Sequence, residues 1–358
     1  MSRIKIVNKK FMSGNDACGE GAIMAGCRFY AGYPITPQNE LPAYMSKRMD
    51  EVNGVFLQSE SEISAINMVF GAALTGARAM TSSSSPGISL KQEGISYLAG
   101  CGLPSVIVNV MRGGPGLGNI GPAQSDYFQA TKGGGHGDYH MIVLAPASVQ
   151  DMMDFTYAAF DLADKYRTPV MVLSDGALGQ MMEPVNLRLK QEKNPAEHIK
   201  KDWELTGSKG RAPRIIRSLL LQEGVLEQLN KKLQATYRLI AENETRFNVD
   251  NESDSELFIV AYGSSWRIAK SAAENLRASG YKVGLIRPVT LWPFPYEIIR
   301  KIAQMGKRFL VVEMSAGQLV EDVRLAAQND SLVDFYGRTG GEIPSEQEII
   351  YKIRGILS

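Results

Sequence analysis

The 358-residue chain is 44% hydrophobic and 22% charged, the balance of a soluble globular protein long enough for two domains. Its net charge of +1, with no basic run, argues against nucleic acid as a partner. No apolar run reaches the ~20 residues of a membrane helix, and the basic start MSRIKIVNKKF lacks a signal peptide's apolar stretch, so a cytoplasmic location is expected.

Three cysteines, Cys18, Cys27 and Cys101, lie far apart without a CxxC. By the usual spacings they build neither a disulfide framework nor a zinc or iron–sulfur site, and they read as buried thiols.

Residues 13–33 read as a turn and a helix rich in Ala and Gly, leading to Tyr33-Pro34-Ile35-Thr36-Pro37. Two prolines bracketing Ile-Thr fix an extended loop, which either is structural or presents the Thr36 hydroxyl at a defined place. A helix over Asn39–Asp50 and a short strand over Val55–Leu57 follow. The tetrad Ser59-Glu60-Ser61-Glu62 then opens an apolar helix with Ile63, Ile66, Val69, Phe70 and Leu74 at helical spacing, and with Ala65, Gly71, Ala72, Ala73 and Gly76 flattening one surface. Ser59 and Glu62 have capping-box spacing. The other reading is a carboxylate held at a helix start and aimed at a ligand's ring nitrogen, and this stretch alone leaves both open.

Ala77–Met80 reads as a strand, Ser82–Gly87 as a polar turn, and Ser89–Gly100 as a helix. Ser105–Met111 (SVIVNVM) is a continuous apolar strand suited to a buried parallel sheet. Arg112 follows it on the glycine-rich loop 113–121, where open α/β sheets bind ligands. A guanidinium there suits a carboxylate. The GLGNIG within this loop matches G-x-G-x-x-G in form only, because Arg-Gly-Gly-Pro intervenes after the strand and Pro122 follows. A ligand-covering loop fits better. In GGGHGDYH, His136, Asp138 and His140 alternate, which allows a metal, an active-site or interface loop, or a plain turn.

Met141–Leu144 and Pro169–Asp175 read as strands flanking an amphipathic helix over Val149–Tyr166. The alternation to this point predicts a doubly wound parallel sheet. Met182 to about Arg211 reads as a connection, Arg217–Phe247 as a long charged helix, and Asn248–Ser255 as a polar break. A smaller α/β unit closes the chain. The expected division is 1–190, a connecting segment 191–250 with the long helix, and 251–358.

In YPITP, QSESEISAINMVFGAALTGARAMTSSSSPGISL and NVMRGGPGLG the chain resembles the α subunit of 2-oxoacid:ferredoxin oxidoreductases, and AYGS and EMSAGQL resemble that family's second domain. The resemblance covers almost the whole chain and is weakest from about 183 to 250. It implies a pyrimidine-type thiamine diphosphate domain followed by a transketolase-C-terminal-like domain. It further implies that Glu62, rather than Glu60, faces the cofactor's ring nitrogen. Thr36 matches the substrate-contacting threonine and Arg112 the carboxylate-binding arginine. Pro34, Ile35, Ser84 and Pro86 fall at cofactor-binding positions.

No GDG motif for Mg²⁺ and diphosphate occurs, and no cluster ligands are present. The resemblance therefore implies a split enzyme. A β subunit would carry the diphosphate, Mg²⁺ and a [4Fe-4S] cluster, alongside a γ subunit and a small ferredoxin-like subunit. Ferredoxin, CoA and a 2-oxoacid would be the reactants. SSSSPGISLKQEG and residues 112–140 look more like the branched-chain (3-methyl-2-oxobutanoate) type than the 2-oxoglutarate type. A non-redox thiamine diphosphate decarboxylase or synthase is the alternative among enzymes, and a silent scaffold subunit the alternative outside them.

Overall fold

A computed structural model describes residues 9–187 and 201–358. The first unit holds strands β1 (Lys9–Ser13), β2 (Phe29–Gly32), β3 (Val55–Gln58), β4 (Ala79–Ser83), β5 (Ser105–Met111), β6 (Ile142–Leu144), β7 (Pro169–Asp175) and β8 (Met182–Asn186). Its helices are α1 (Gly14–Met24), α2 (Glu40–Glu51), α3 (Glu62–Leu74), α4 (Ser85–Gly100), α5 (Tyr127–Thr131), α6 (Val149–Tyr166) and α7 (Gly176–Gln180). The expected doubly wound parallel sheet is present. Strands β6, β7, β5, β4, β2 and β3 run parallel in that order, while β1 and β8 form a separate antiparallel pair.

Strand β5 shows why the apolar run folds as it does. Val106, Val108 and Val110 enter the core on one face, Ile107 and Met111 the core on the other. A period of two with helices on both faces asks for apolar residues at every position.

After helix α8 (Val225–Glu244) comes a second sheet of five strands: β9 (Phe247–Asp250), β10 (Leu257–Val260), β11 (Val283–Pro288), β13 (Arg308–Glu313) and β14 (Val333–Gly337), ordered β14-β13-β10-β11-β9. Helices α9 (Gly263–Ala278), α10 (Tyr296–Gln304), α11 (Leu319–Ala327) and α12 (Glu346–Leu357) complete it. Strand β12 (Thr290–Trp292) leaves this unit and pairs antiparallel with β6, so the first sheet has seven strands, one contributed by the second unit.

Three expectations change. The long helix begins at Val225 rather than Arg217, behind Gly224 at φ 78°. It is no free arm, since Tyr237 and Ile240 enter the first unit's core and Glu244 accepts from Lys165 and Tyr166, both at 2.8 Å. The polar break contains β9, whose backbone closes the edge of β11 although its side chains are mostly exposed. The serine-rich turn is buried strand end and helix start, with Pro86 in the first turn, where its missing N–H costs nothing. The expected connection up to Arg211 lies partly outside the described residues. Among the described residues no helix is long and apolar enough to cross a membrane.

Candidate active site

Ser61, not Ser59, caps α3. It lies extended, and its Oγ accepts the Ser64 N–H at 3.2 Å. Ser59 instead donates its hydroxyl to the Gly32 and Ser61 carbonyls at 3.2 and 2.8 Å. The box suggested by the Ser59–Glu62 spacing therefore does not form, because the end of β2 claims the Ser59 hydroxyl. Glu62 becomes the first helical residue and is 6% exposed. Its charge lies at the favourable end of the helix dipole. Glu60 is exposed and accepts from Ser64.

The start of α4 faces this carboxylate. A Cβ at Gly87 would come 2.0 Å from the Ser83 Oγ and 2.6 Å from the Glu62 Oε1, so only glycine leaves Glu62 its place. On β4 and at the start of α4, Thr81, Ser83 and Ser84 bury hydroxyls without partners among the described residues, and Ser84, at the cap position, caps nothing. Unpaired buried hydroxyls are costly, and a ligand carrying polar groups would satisfy them. The donor set therefore fits a polar heterocycle such as an aminopyrimidine.

Arg112 joins the YPITP loop to α4. Its N–H donates to the Ser85 Oγ at 3.0 Å, Nη1 to the Thr36 carbonyl at 3.0 Å, and Nη2 to the Leu117 carbonyl at 3.0 Å. It is 7% exposed, with its Nε unpartnered among the described residues. Of five guanidinium N–H groups, about three stay open to a carboxylate. The Thr36 Oγ1 accepts from Asn39 at 3.2 Å and keeps its own hydrogen to donate. Ile35 is half-buried and its carbonyl receives the Gln38 N–H, while Pro34 is exposed.

Arg112, Ser85 and Pro86 line a cleft of 610 Å³ between the two units. The glycine loop forms one wall, pinned to the second unit by Asn119, which donates to the Gly340 carbonyl at 2.7 Å. Asp126 lines it too, held by Asn109 at 2.9 Å, and burial raises its pKa. Pro34, Ile35, Thr36, Glu62 and Ser84 are not among its lining residues. Arg112 thus touches both the Thr36 carbonyl and Ser85, and Glu62 meets α4 two residues further on at Gly87.

The alternating residues of GGGHGDYH take different partners, although Asp138 and His140 line one cavity. Ser96 donates to the His136 carbonyl, Gln234 donates to that of Asp138, and His140 stacks on Trp292 at 4.6 Å. Burial first, then Lys132, lowers the pKa of His140. Among the described residues no three His, Cys, Asp or Glu groups could hold a metal ion.

Sequence reading missed Lys91, Asp126 and Gln124. Gln124 bridges the units, donating to the Tyr262 carbonyl at 2.9 Å and accepting from Ser265 and the Met314 N–H. No local pattern marks such residues. Their partners lie up to 190 residues away.

Residues 20–247 match the family described as pyruvate flavodoxin/ferredoxin oxidoreductase, thiamine diphosphate-binding, and residues 255–349 match pyruvate:ferredoxin oxidoreductase core domain II. The chain belongs to the 2-oxoacid:ferredoxin oxidoreductase family. It is 50% identical to the ketoisovalerate oxidoreductase subunit VorB of Methanothermobacter marburgensis, over 97% of each chain. It is 36% identical to the 2-oxoglutarate synthase subunit KorA of Methanocaldococcus jannaschii, over 97% of this chain and 99% of that one. A solved 2-oxoglutarate:ferredoxin oxidoreductase from Magnetococcus marinus, bearing 2-oxoglutarate, coenzyme A and succinyl-CoA, superposes with a TM-score of 0.87 at 28% identity. That match covers 98% of this chain and 66% of the other. A split-gene transketolase, at TM-score 0.60 and 14% identity, shares the fold. Like others of the family, the chain combines a thiamine diphosphate-binding unit with a smaller α/β unit, and its relatives are subunits of larger oxidoreductases.

Proposed function

We propose that this chain is a subunit of a CoA-acylating 2-oxoacid:ferredoxin oxidoreductase, converting a 2-oxoacid, CoA and oxidised ferredoxin to acyl-CoA, CO₂ and reduced ferredoxin. The observation that carries the reading is the meeting of Thr36, Arg112 and the buried Glu62 around the start of α4. Thiamine diphosphate, when bound, supplies the carbon nucleophile and the electron sink for decarboxylation. Glu62 would hold a proton at the ring nitrogen, and Ser83, Ser84, Pro86 and the Pro34–Ile35 loop would enclose the ring. Arg112 would fix the substrate carboxylate in a fork geometry, and the Thr36 hydroxyl would donate to the substrate.

Cys18 and Cys27 are buried thiols pushed up to about 12 by burial, and the half-buried Cys101 is also raised. Protonated and scattered, they are unsuited to ligating a cluster. The reading therefore assigns Mg²⁺, the diphosphate site and [4Fe-4S] clusters to partner β, γ and small ferredoxin-like subunits, in the cytoplasm.

The favoured substrate is a branched-chain 2-oxoacid, 3-methyl-2-oxobutanoate. Support comes from the ketoisovalerate relatives and from the cleft, where Arg112 is the one cation among the described lining residues. A monocarboxylate needs no second cation. The 2-oxoglutarate reading would want one, and the relatives at 36–41% identity keep it as the second reading.

The test is to purify the tagged chain without oxygen from its native cells, identify its partners, iron and cofactor, and assay dye reduction with a panel of 2-oxoacids and CoA. Fastest reduction with 3-methyl-2-oxobutanoate is expected. A lone chain that binds thiamine diphosphate by itself and decarboxylates without an electron acceptor would overturn the reading.

A further inference from the structure

Behind Glu62 lies a lysine that the reaction as read above does not use. Lys91 sits on α4 between Gly87 and Gly94, and positions four and three residues apart share one helix face. That face packs on α3 at very short range, since a Cβ at Gly94 would come 2.5 Å from Ile66 and one at Gly87 would strike Glu62. Between these two contacts the Lys91 side chain is 0% exposed. Its Nζ donates to the main-chain carbonyl of Glu62 at 3.3 Å, and among the described residues it has no ion pair within 4.0 Å.

A buried ammonium with one carbonyl partner is costly. A methionine of similar length would fill the same slot without that penalty, so packing alone gives no reason for a charge there. Burial pushes the lysine down to about 8, and the negative charge of Glu62 acts in the opposite direction. Of the elements packed against α4, α3 faces Lys91 with Glu62. Strand β5 brings no titratable group, and Arg112 just beyond it is turned to the Thr36 and Leu117 carbonyls. Strand β7 brings Asp175, whose carboxylate is occupied by Ser264 and by the N–H groups of α7. Glu93, on α4 itself, is bonded to Tyr97 at the surface, the loop 133–140 sets His136 edge-on against Tyr97, and the buried Asp126 is bonded to Ser85 and Asn109 at the start of α4.

We propose that Lys91 is a positioning residue for Glu62. Its ammonium anchors the first turn of α3 and supplies the buried positive charge that balances the ring-facing carboxylate. With Lys91 charged, the proton shared between Glu62 and the pyrimidine ring nitrogen is favoured on the ring. The step moves that one proton and nothing else. The inference rests on the reading of Glu62 as the ring-facing carboxylate.

The experiment compares wild-type, Lys91→Gln, Lys91→Met and Glu62→Gln forms of the complete complex. Three quantities are read: thiamine diphosphate affinity of the cofactor-stripped complex by calorimetry, the near-ultraviolet circular dichroism of the bound pyrimidine, and the pH profile of kcat/KM. The wild type is expected to lose activity on an alkaline limb centred near 8. Both lysine variants are expected to lack that limb, to bind the cofactor roughly tenfold more weakly, and to show an altered pyrimidine band. If Lys91→Gln fails to assemble, Lys91→Met, which suits the apolar slot, decides by the same readouts. The inference is overturned if the variants keep the wild-type limb, affinity and band while Glu62→Gln loses activity, or if the wild-type profile runs flat through that range. A Glu62→Gln complex with normal cofactor binding and turnover would instead overturn the reading of Glu62 itself.

Discussion

Asp175, at the end of β7, receives both the N–H and the hydroxyl of Ser264 from the second unit, at 3.0 and 2.6 Å. The same carboxylate accepts the N–H groups of Ala177 and Leu178, both at 3.1 Å, so one buried group caps α7 and ties α9 to the first sheet. The cleft beside Arg112 exists only while the two units stay docked. Ser264→Ala should cost about 2 kcal/mol and Asp175→Ala at least about 3 kcal/mol, since the latter strands several buried donors. Denaturant unfolding checks this, and the double variant should cost less than the sum of the two.

Glu62→Ala should abolish measurable turnover while leaving the complex assembled, because among the described residues the carboxylate caps no helix and has no ion pair within 4.0 Å, its tie to Lys91 being a longer-range charge balance. Size-exclusion chromatography and dye reduction on the same preparation give both readouts. Normal turnover would remove Glu62 from the site.

Arg112→Lys is expected to behave as a severe change. A lysine ammonium cannot span the Thr36 and Leu117 carbonyls and still offer a fork to a carboxylate. The loss should fall mainly on KM for the 2-oxoacid, with kcat/KM down roughly 10²-fold. The glycine loop should also become more sensitive to proteolysis. An unchanged KM with a lowered kcat would point away from ground-state carboxylate binding.

Much of the fold was legible because its signals are local. The run SVIVNVM, the helical spacing from Ile63 to Leu74 and the position of Arg112 after a buried strand are each contained in one short stretch of sequence. The parts that were not legible depend on distant partners. Strand β12 joins the first sheet through pairing with β6, some 150 residues earlier, and nothing in Thr-Leu-Trp announces it. The Ser59–Glu62 spacing misled because the competing acceptor for Ser59, the Gly32 carbonyl, is 27 residues away. Nothing in LKQEG marks Lys91, whose burial comes from the cover of α3. The proposed division of labour with partner chains rests, in the sequence, on motifs that are missing.

Lys91 also carries a stability prediction of unusual sign. Its folded-state pKa is about 8 against an ordinary 10.5. Between those values the unfolded chain binds more protons than the native one, so stability rises with pH across that window, and below it the full penalty applies. The penalty amounts to roughly 3 kcal/mol. Lys91→Met should therefore be more stable than wild type near neutrality, with the gap closing at about pH 10. Thermal midpoints of the two proteins at both pH values provide the check, and a constant gap would contradict the depressed pKa.

Two glycines in one stretch should respond oppositely to the same change. In a helix, Gly→Ala ordinarily gains about 1 kcal/mol, and Gly71, exposed on α3 with nothing within 4 Å of an added Cβ, should show that gain without loss of activity. At Gly87 the new methyl would enter the space of the Ser83 hydroxyl and the Glu62 carboxylate. The helix should persist, because alanine is a better helix former, while the carboxylate is pushed off its position. Turnover should fall roughly 10²-fold, the scale expected when a reacting group is displaced by about 1 Å, and cofactor affinity should fall with it. Equal, small effects at the two sites would mean that Glu62 relaxes at no cost and that the close approach of α4 to α3 has no part in setting the site.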